Sequence, residues 1–408
     1  MNESHAPSFI VAGASGNLGR QLVPLLSASG ARMLLVGRDK NKLREIFPHH
    51  EVAIYADIPW AAGQYEDLIF LATTNSDSDA SYEQFERTNV ALALEARNLA
   101  AAGGVKRFTY FSSVHALEHA NQSHYARSKR AAEEALNNSP GIVTKIIYIP
   151  ALLGKTYSGS LAVLNRTPTF LAKLLLPTLK ALKPTVNVTA VSKELLTNSA
   201  FQSNQSVILA TDQDTNLAYT FLKRCMDLLG AAAIVLLLWW LMIIVWIVIK
   251  VQSPGPGIFR QRRIGLNGKE FTCYKFRTMH LSAPNVATHE APSSAVTPFG
   301  KILRRTKIDE LPQVFNIFVN EMSFVGPRPC LPTQTELIEE RRKRAVLTLK
   351  PGITGLAQVN DIDMSDPVRL AVCDERYLKL RSIIFDLKLM LMTVAGKGMN
   401  DKIGKAAK

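Results

Sequence analysis

Leu228 to Ile249 reads LLGAAAIVLLLWWLMIIVWIVI, 22 residues without a charged side chain. About 20 apolar residues suffice for a helix to cross the hydrocarbon layer, where only helices and closed barrels satisfy their backbone polar groups. The segment is therefore read as a membrane helix, and it divides the chain in two. Three of the four tryptophans, Trp239, Trp240 and Trp246, lie inside it. Both flanks are basic, with Lys223 and Arg224 before it and Lys250, Arg260, Arg262 and Arg263 after it. Basic flanks mark the cytoplasmic side, so both ends are expected on one side. A helix that enters and returns, or one lying in the interface, meets that condition. No proline, the usual kink device, occurs between Phe221 and Ser253. The N-terminal MNESHAPSFIVAGASG lacks the basic start of a signal peptide.

The 408 residues allow two to three domains. An apolar share of 47% excludes a long disordered chain. Four cysteines without CxxC spacing, Cys225, Cys273, Cys330 and Cys373, read as neither a disulfide framework nor a zinc site; a reducing compartment is expected. The net charge of +14 is unevenly placed: residues 1–216 carry 20 basic and 18 acidic side chains, residues 217–408 carry 28 and 16. A strongly basic half calls for a polyanion, whether nucleic acid, an anionic membrane or phosphorylated substrates. No nucleic-acid recognition motif accompanies the charge, which disfavours the first.

In the first half, the apolar run Phe9 to Ala12 leads into Gly13, Ala14, Ser15, Gly16, Asn17, Leu18 and Gly19, then a periodic helix from Arg20 to Ser29. A strand, a glycine turn and a helix start let a backbone approach a pyrophosphate at the helix N-terminus. The second strand, Met33 to Val36, ends in Gly37, Arg38 and Asp39. An Arg there suits the 2′-phosphate of NADP and an acid the ribose of NAD; Arg38 comes first, so NADP is favoured over NAD. Asp57, after a third strand, is expected near the adenine. The fourth strand, Leu68 to Ala72, ends in Thr73 and Thr74. Arg107 to Ser113 (RFTYFSS) is a strand ending in two serines, and Tyr125-Ala-Arg-Ser-Lys129 follows. A Lys near a phenol lowers its pKa, so Tyr125 can shuttle a proton near neutral pH. Ser113, with Ser112 as the neighbouring candidate, supplies a hydroxyl at the end of that strand.

These motifs resemble the short-chain dehydrogenase/reductase family, in its nucleotide-sugar epimerase and reductase branch, over roughly residues 8–210. The resemblance implies a doubly wound parallel sheet with Ser113, Tyr125 and Lys129 as the catalytic set and Gly13, Ser15, Gly16, Asn17, Leu18, Gly19, Arg38, Asp57, Ala72 and Thr73 around the cofactor. Tyr148 stands where an Arg is common in the family. Leu161 to Lys183, apolar with interspersed lysines, is read as substrate-domain core, with an amphipathic membrane helix as the alternative.

Past the apolar segment come SPGPGIFRQRRIG (253–265), YKFRTM (274–279), DELPQ (309–313), SFVGPRP (323–329) and PGITGLAQVN (351–360). Phosphoryl transfer needs cations around the phosphates and a positioned nucleophile. Lys275, Arg277, Lys301, Arg304, Arg305 and Arg328 supply cations. The adjacent Asp309 and Glu310 supply carboxylates that can attack phosphorus or hold Mg²⁺ with phosphate oxygens. Together the motifs resemble the bacterial sugar transferases, the monotopic phosphoglycosyl transferases, over about 219–396. The resemblance implies that Asp309 attacks a UDP-sugar, releases UMP and holds a phosphosugar that undecaprenyl phosphate then takes. Glu310 would assist in metal binding or proton handling, and Lys275, Arg277, Arg304, Arg305, Gln313, Pro327, Arg328 and Gln358 would line the substrate site. Leu281 to Pro298 is expected as a mobile loop, and Glu339 to Arg344 (EERRKR) as a charged helix face.

The expected architecture is α/β: a Rossmann domain over 1–210, a linker over 211–218, a membrane-embedded helix over 219–252, expected to be re-entrant, and a small, mostly helical transferase domain over 253–408. The expected enzyme is bifunctional, finishing a UDP-sugar by 4-keto reduction or 4-epimerisation and loading its sugar 1-phosphate onto undecaprenyl phosphate at the bacterial inner membrane. UDP-sugars and NADPH are cytoplasmic, so both halves are expected on that side, with the basic half meeting anionic lipid headgroups. A transferase with a non-catalytic nucleotide-binding regulatory domain is the competing reading. A homodimer is compatible with both.

Overall fold

The computed structural model describes residues 6–74, 78–154, 167–197, 201–283 and 293–398. They form two compact units: Met1–Leu175 with Pro184–Thr211, and Leu176–Lys183 with Asp212–Lys408.

The first unit is a doubly wound domain. Its strands are β1 (Ser8–Ala12), β2 (Arg32–Val36), β3 (Glu51–Ala53), β4 (Asp67–Phe70), β5 (Arg107–Ser113), β6 (Val143–Ile149), β7 (Ala151–Leu153), β8 (Thr185–Asn187) and β9 (Gln205–Ile208). Seven of them make a parallel sheet in the order β3-β2-β1-β4-β5-β6-β9, and β7 pairs with β8. The helices are α1 (Asn17–Ala28), α2 (Lys40–Ile46), α3 (Ile58–Ala61), α4 (Tyr82–Glu86), α5 (Leu92–Ala102), α6 (His124–Asn137), α7 (Thr169–Leu182), which passes into the second unit at Leu176, and α8 (Val188–Thr197). β1 shows why its sequence is apolar throughout: Ile10 and Ala12 enter one core cluster, Phe9 and Val11 the other. A parallel strand covered on both faces has no polar side to present. The order reverses between β1 and β4, which opens the crevice where such sheets bind ligands.

The second unit is built on α9 (Leu217–Gln252), followed by the antiparallel hairpin β10 (Ile258–Ile264) and β11 (Glu270–Phe276) and by α10 (Pro298–Arg305). A 3₁₀ turn over Ile308–Gln313 leads into α11 (Val314–Phe318) and β12 (Ser323–Val325), which pairs in parallel with β13 (Gly352–Thr354). Around them stand α12 (Thr335–Lys343), α13 (Leu356–Val359), α14 (Pro367–Leu380) and α15 (Ile383–Val394). Of the expected mobile loop, residues 284–292 lie outside the described residues.

The apolar segment is one helix without a break, α-helical through Trp239 and Trp240, so the entry-and-return bend is not in it. Asn216 caps its start. The body of this unit packs along its whole length. Near its start, Lys223 Nζ binds Asp386 at 2.7 Å and Val325 O at 3.1 Å, and Arg224 holds the carbonyls of Ile317 and Phe318. Further along, the buried Asp227 accepts from Ser323 Oγ at 2.9 Å and Phe324 N at 3.0 Å. Near its end, Val245 and Ile249 pack on Phe276 and Leu303. The contacts from Tyr219 to Ile249 cover about 45 Å at 1.5 Å per residue, more than the ~30 Å hydrocarbon core. The opposite face leaves Leu229, Leu236, Leu237, Trp240, Ile244 and Ile247 exposed.

The EERRKR stretch departs from the expected charged face at one residue. Arg342, Lys343 and Arg344 pair with Glu339 and Glu340 on α12. Arg341 instead turns inward, 3% exposed, and donates to Asp374 Oδ2 at 2.7 and 2.9 Å.

Candidate functional site

In the first unit the glycine turn lies at the strand-order reversal. Gly13 has φ +86°, and a Cβ there would sit 2.5 Å from Ala72 N at the end of β4, so no other residue fits. Gly16 caps α1 without a side-chain hydrogen bond, no acid lies in the first turn, and Gly19 is buried one turn in. The N–H groups at Asn17 and Leu18 and the dipole are thus aimed at the turn that Ser15 completes. This cradle fits a dinucleotide pyrophosphate. At the end of β2, Asp39 is spent on structure: its Oδ1 accepts from Asn41 N and Lys42 N at 3.0 Å and caps α2. Arg38 is exposed. It lies close enough to Tyr55 to offset part of the rise that burial imposes on that phenol, which reaches about 12. Asp57 Oδ2 accepts from Ile54 N at 3.2 Å.

Ser113 closes β5, buried, its Oγ accepting from His115 N at 3.3 Å. Tyr125 and Lys129 stand one turn apart on α6, so their side chains share a face. The Tyr125 ring meets Phe85 and His115 edge-on. Lys129 Nζ is buried, 5.9 Å from the Tyr125 ring centre and 4.7 Å from that of Tyr110, and donates to Phe111 O at 2.9 Å. Burial pulls this ammonium down to about 7. The unfolded chain then holds more protons than the folded one between about pH 7 and 10.5, so stability of this unit is expected to rise with pH across that window. Melting curves should show that rise, and Lys129→Met should flatten it.

Two residues that the sequence reading passed over bind this site together. Asn89, in a π-helical turn (Arg87–Ala91), accepts from Thr73 Oγ1 at 2.9 Å and Thr74 N at 3.1 Å and donates to Ser128 Oγ at 2.9 Å. It ties the end of β4, with Ala72 and Thr73, to the helix of Tyr125 and Lys129. Glu133, one turn past Lys129, accepts from Ser112 Oγ and from Tyr148 Oη, the latter at 2.9 Å. Ser112 is thereby turned to Glu133, and Tyr148 fills the place where an Arg was expected. The i+4 spacing from Lys129 was the available signal for Glu133; Asn89 had none.

In the second unit Asp309 and Glu310 lie on the 3₁₀ turn, 7% and 6% exposed. Lys307 starts the turn at φ +59°. Glu310 Oε1 takes Lys275 Nζ from β11 at 2.7 Å and Arg328 Nη2 at 3.2 Å. Burial would raise the Glu310 carboxyl, but Lys275, Arg328 and Lys307 hold it well below its ordinary range. Asp309 goes the other way: burial, then the Glu310 charge, push it up to about 6 against the pull of Lys275, Arg304 and Lys307. Its Oδ1 is buried with no hydrogen-bond partner among the described residues. One carboxylate is thus neutralised by fixed cations and the other carries an oxygen open for bonding.

The glycine motifs place Arg328. A Cβ on Gly352 would lie 2.1 Å from Gly326 N, and one on Gly355 2.2 Å from Gly326 O. SFVGPRP and PGITG therefore meet backbone to backbone at β12 and β13, and Arg328 leaves from that junction beside the buried Pro327. Arg341 Nη1 fixes the Arg328 carbonyl at 2.9 Å. Gln313 is buried at the end of the turn. Arg304 is half-buried within electrostatic reach of Asp309, and Arg305 is exposed. Gln358 donates to Ile353 O at 3.1 Å and has a buried, unpartnered Oε1. Arg277 is not at the dyad: it donates to Ser253 O, Ser253 Oγ and Pro254 O at 2.7–2.9 Å and clasps the turn after α9. Lys307, inside the TKIDELPQ string but not singled out from sequence, belongs with the cations.

Residues 218–398 match the bacterial sugar transferase family. A UDP-glucose:undecaprenyl-phosphate glucose-1-phosphate transferase from Caulobacter vibrioides is 38% identical over 187 residues, which are 44% of this chain and 70% of that protein. The chain belongs to the bacterial sugar transferase family. The transferase of the same name from Escherichia coli K12 is 37% identical, over 42% of this chain and 39% of its own length, so the chain spans well under half of that longer relative. Ahead of the sugar transferase part, residues 13–170 match the NAD(P)H-binding family. A solved UDP-N-acetylglucosamine 4-epimerase from Bacillus cereus is 15% identical with a TM-score of 0.40, over 55% of this chain and 86% of that one.

No group of three or more His, Cys, Asp and Glu side chains among the described residues is placed to hold a metal. Mg²⁺ is commonly held by one or two carboxylates completed by substrate phosphates and water. The unpartnered Asp309 Oδ1 beside Glu310 fits that pattern.

The second unit also holds an apolar cavity of about 390 Å³, lined by Val235, Trp239, Met242, Ile243 and Trp246 of α9 and by Ile258, Phe276 and Phe315. Phe276 follows Lys275 on β11, and Phe315 stands two residues past Gln313, so cavity and dyad share their supporting elements.

Proposed function

We propose that this sugar transferase moves a sugar 1-phosphate from a UDP-sugar to undecaprenyl phosphate through a covalent intermediate on Asp309. The observation that carries this is the buried, unpartnered Asp309 Oδ1 beside a Glu310 neutralised by Lys275 and Arg328. A carboxylate oxygen of Asp309 attacks the sugar-linked phosphorus, the bond to the UMP oxygen breaks, and UMP leaves. An oxygen of the acceptor phosphate then attacks the same phosphorus and restores Asp309. Lys275, Lys307 and Arg328 stabilise the charge that develops on the transferring phosphoryl oxygens. Mg²⁺, held by Asp309 and Glu310, would neutralise the diphosphate.

The apolar cavity supports a lipid-linked acceptor, because Phe276 and Phe315, which line it, stand on the elements that carry the dyad's surroundings. Phe315→Ala is expected to raise the KM for undecaprenyl phosphate about tenfold, the order of one lost aromatic contact, and to leave that for a short soluble prenyl phosphate unchanged. Steady-state assays with both acceptors, reading UMP, check this. The unbroken α9, packed on the body at both ends, supports a helix lying in the membrane interface, with both halves facing the cytoplasm.

For the first unit, the Gly13 cradle and the Ser113, Tyr125 and Lys129 set support an NADP-dependent 4-ketoreductase or 4-epimerase acting on a UDP-sugar. Arg38, exposed while Asp39 caps α2, supports NADP over NAD. The nicotinamide supplies or accepts the hydride; Ser113 would hold the sugar oxygen and Tyr125 would give or take its proton. A second reading, a non-catalytic nucleotide-binding domain, is favoured by one contact: Lys129 Nζ is engaged by Phe111 O. Titration with NADPH followed by turnover of 4-keto UDP-sugars separates the two. Under the catalytic reading Tyr125→Phe keeps NADPH binding and loses turnover by about a hundredfold or more; binding without any turnover in the unaltered protein leaves the regulatory one.

A further inference from the structure

We infer that α7 lies in the bilayer interface as a second membrane-contacting helix and meets anionic headgroups. Residues 167–184, TPTFLAKLLLPTLKALKP, contain Lys173, Lys180 and Lys183 and no acid. The reading of this stretch as buried core predicts covered leucines. Instead Phe170 is 68% and Leu174 72% exposed, with Leu171 and Leu175 exposed beside them, while Ala172 on the other side of the helix is buried. Phe170, Leu174 and Ala181 fall at i, i+4 and i+11, one stripe along the helix.

That stripe ends on the membrane helix. Ala181 is fully buried against Tyr219 of α9 and Ile383 of α15, with Leu182 and Leu222 alongside. Asn216, whose side chain caps α9, also donates to Pro177 O at 3.1 Å, and Gln213 donates to Lys180 O at 2.6 Å. The end of α7 is thus fastened at the first turn of α9. Each helix meeting there carries exposed apolar side chains: Leu217 and Phe221 on α9, and Ile384 and Leu387 on α15. The part of α7 from Leu176 on belongs to the same unit as α9, and the apolar side chains exposed beside their junction make lipid the occupant. A stretch of sequence with three lysines and no acid selects anionic headgroups and disfavours a second copy of the same basic stretch.

The full-length protein, reconstituted in phosphatidylethanolamine/phosphatidylglycerol vesicles, tests this. A bimane probe at Leu174→Cys, with the native cysteines replaced, is expected to be quenched by brominated acyl chains at least twofold more than the same probe at Asn138→Cys on the exposed end of α6. Exchanging phosphatidylglycerol for phosphatidylcholine should weaken the quenching. Equal quenching at the two positions overturns the proposal, as does a blue-shifted probe at 174 that bromine does not quench, since protein then covers the face. Insensitivity to headgroup charge overturns the anionic preference. The unaltered protein supplies an independent measurement: irradiation with a diazirine-acyl phosphatidylglycerol should label the peptide containing residues 170–175, and label confined to α9 peptides overturns the proposal. None of these readings depends on sugar transfer.

Discussion

Asp309→Asn should lower phosphosugar transfer by about a thousandfold or more, the scale on which an attacking residue is lost. The fold should survive, because Asp309 Oδ1 has no hydrogen-bond partner among the described residues that an amide would forfeit. An amide cannot form the acyl phosphate, so the variant incubated with radiolabelled UDP-sugar should retain no label on protein, whereas the unaltered enzyme should. UMP release and label retention are both read, with thermal melting as the folding control. Full transfer by Asp309→Asn would remove the covalent mechanism and leave the dyad a binding role. The companion variant Glu310→Gln acts differently: it removes the acceptor shared by Lys275 and Arg328 and so scatters both cations from the phosphates.

The largest expected effect on stability lies away from the dyad. Arg341→Met should destabilise the second unit by about 3–5 kcal/mol, the cost of breaking a buried ion pair on one side. It leaves the fully buried Asp374 carboxylate, whose pKa burial already raises against the pull of Arg341, without its partner. It also frees the Arg328 carbonyl, so substrate affinity should fall along with stability. Urea denaturation with UMP assays below the transition measures both. Arg341→Met combined with Asp374→Leu should recover most of the lost stability, because no unpaired charge then remains inside. Recovery of stability without recovery of affinity would assign Arg341 a separate positioning role at Arg328. A loss under 1 kcal/mol in the single variant would return Arg341 to the solvated helix face that its EERRKR context suggested.

Much of the fold was legible because its signals are local. The Gly13 to Gly19 turn, the two serines ending β5 and the Tyr125 and Lys129 spacing each lie within one strand, turn or helix. The transferase strings are equally short and ordered. What misled was direction. Arg277 and Arg341 are cations in a basic half, yet one clasps Ser253 and Pro254 and the other is buried on Asp374. A side chain's heading depends on which element packs over it, and sequence spacing does not encode that. Asn89 was missed for the same reason, since its partners Thr73 and Thr74 lie on another element; Glu133 stood in view at i+4 from Lys129, but its partner Tyr148 did not.

The sequence by itself determined that a membrane helix separates a nucleotide-binding half from a phosphate-gathering one. Twenty-two uncharged residues, a glycine turn after a strand and a +12 second half are physical constraints that any fold of this chain must honour. Only the tertiary structure decided what that helix packs against and which charges meet. The body of the second unit packs along α9 from Tyr219 to Ile249, so the apolar segment lies against its own domain and does not bend at mid-length. The same packing buries Asp309 and Glu310 side by side and brings Lys275, Lys307 and Arg328 from three separate segments around them. Desolvation and cations then drive two adjacent carboxylates in opposite directions, a distinction that depends on distances through space and is absent from the letters DE.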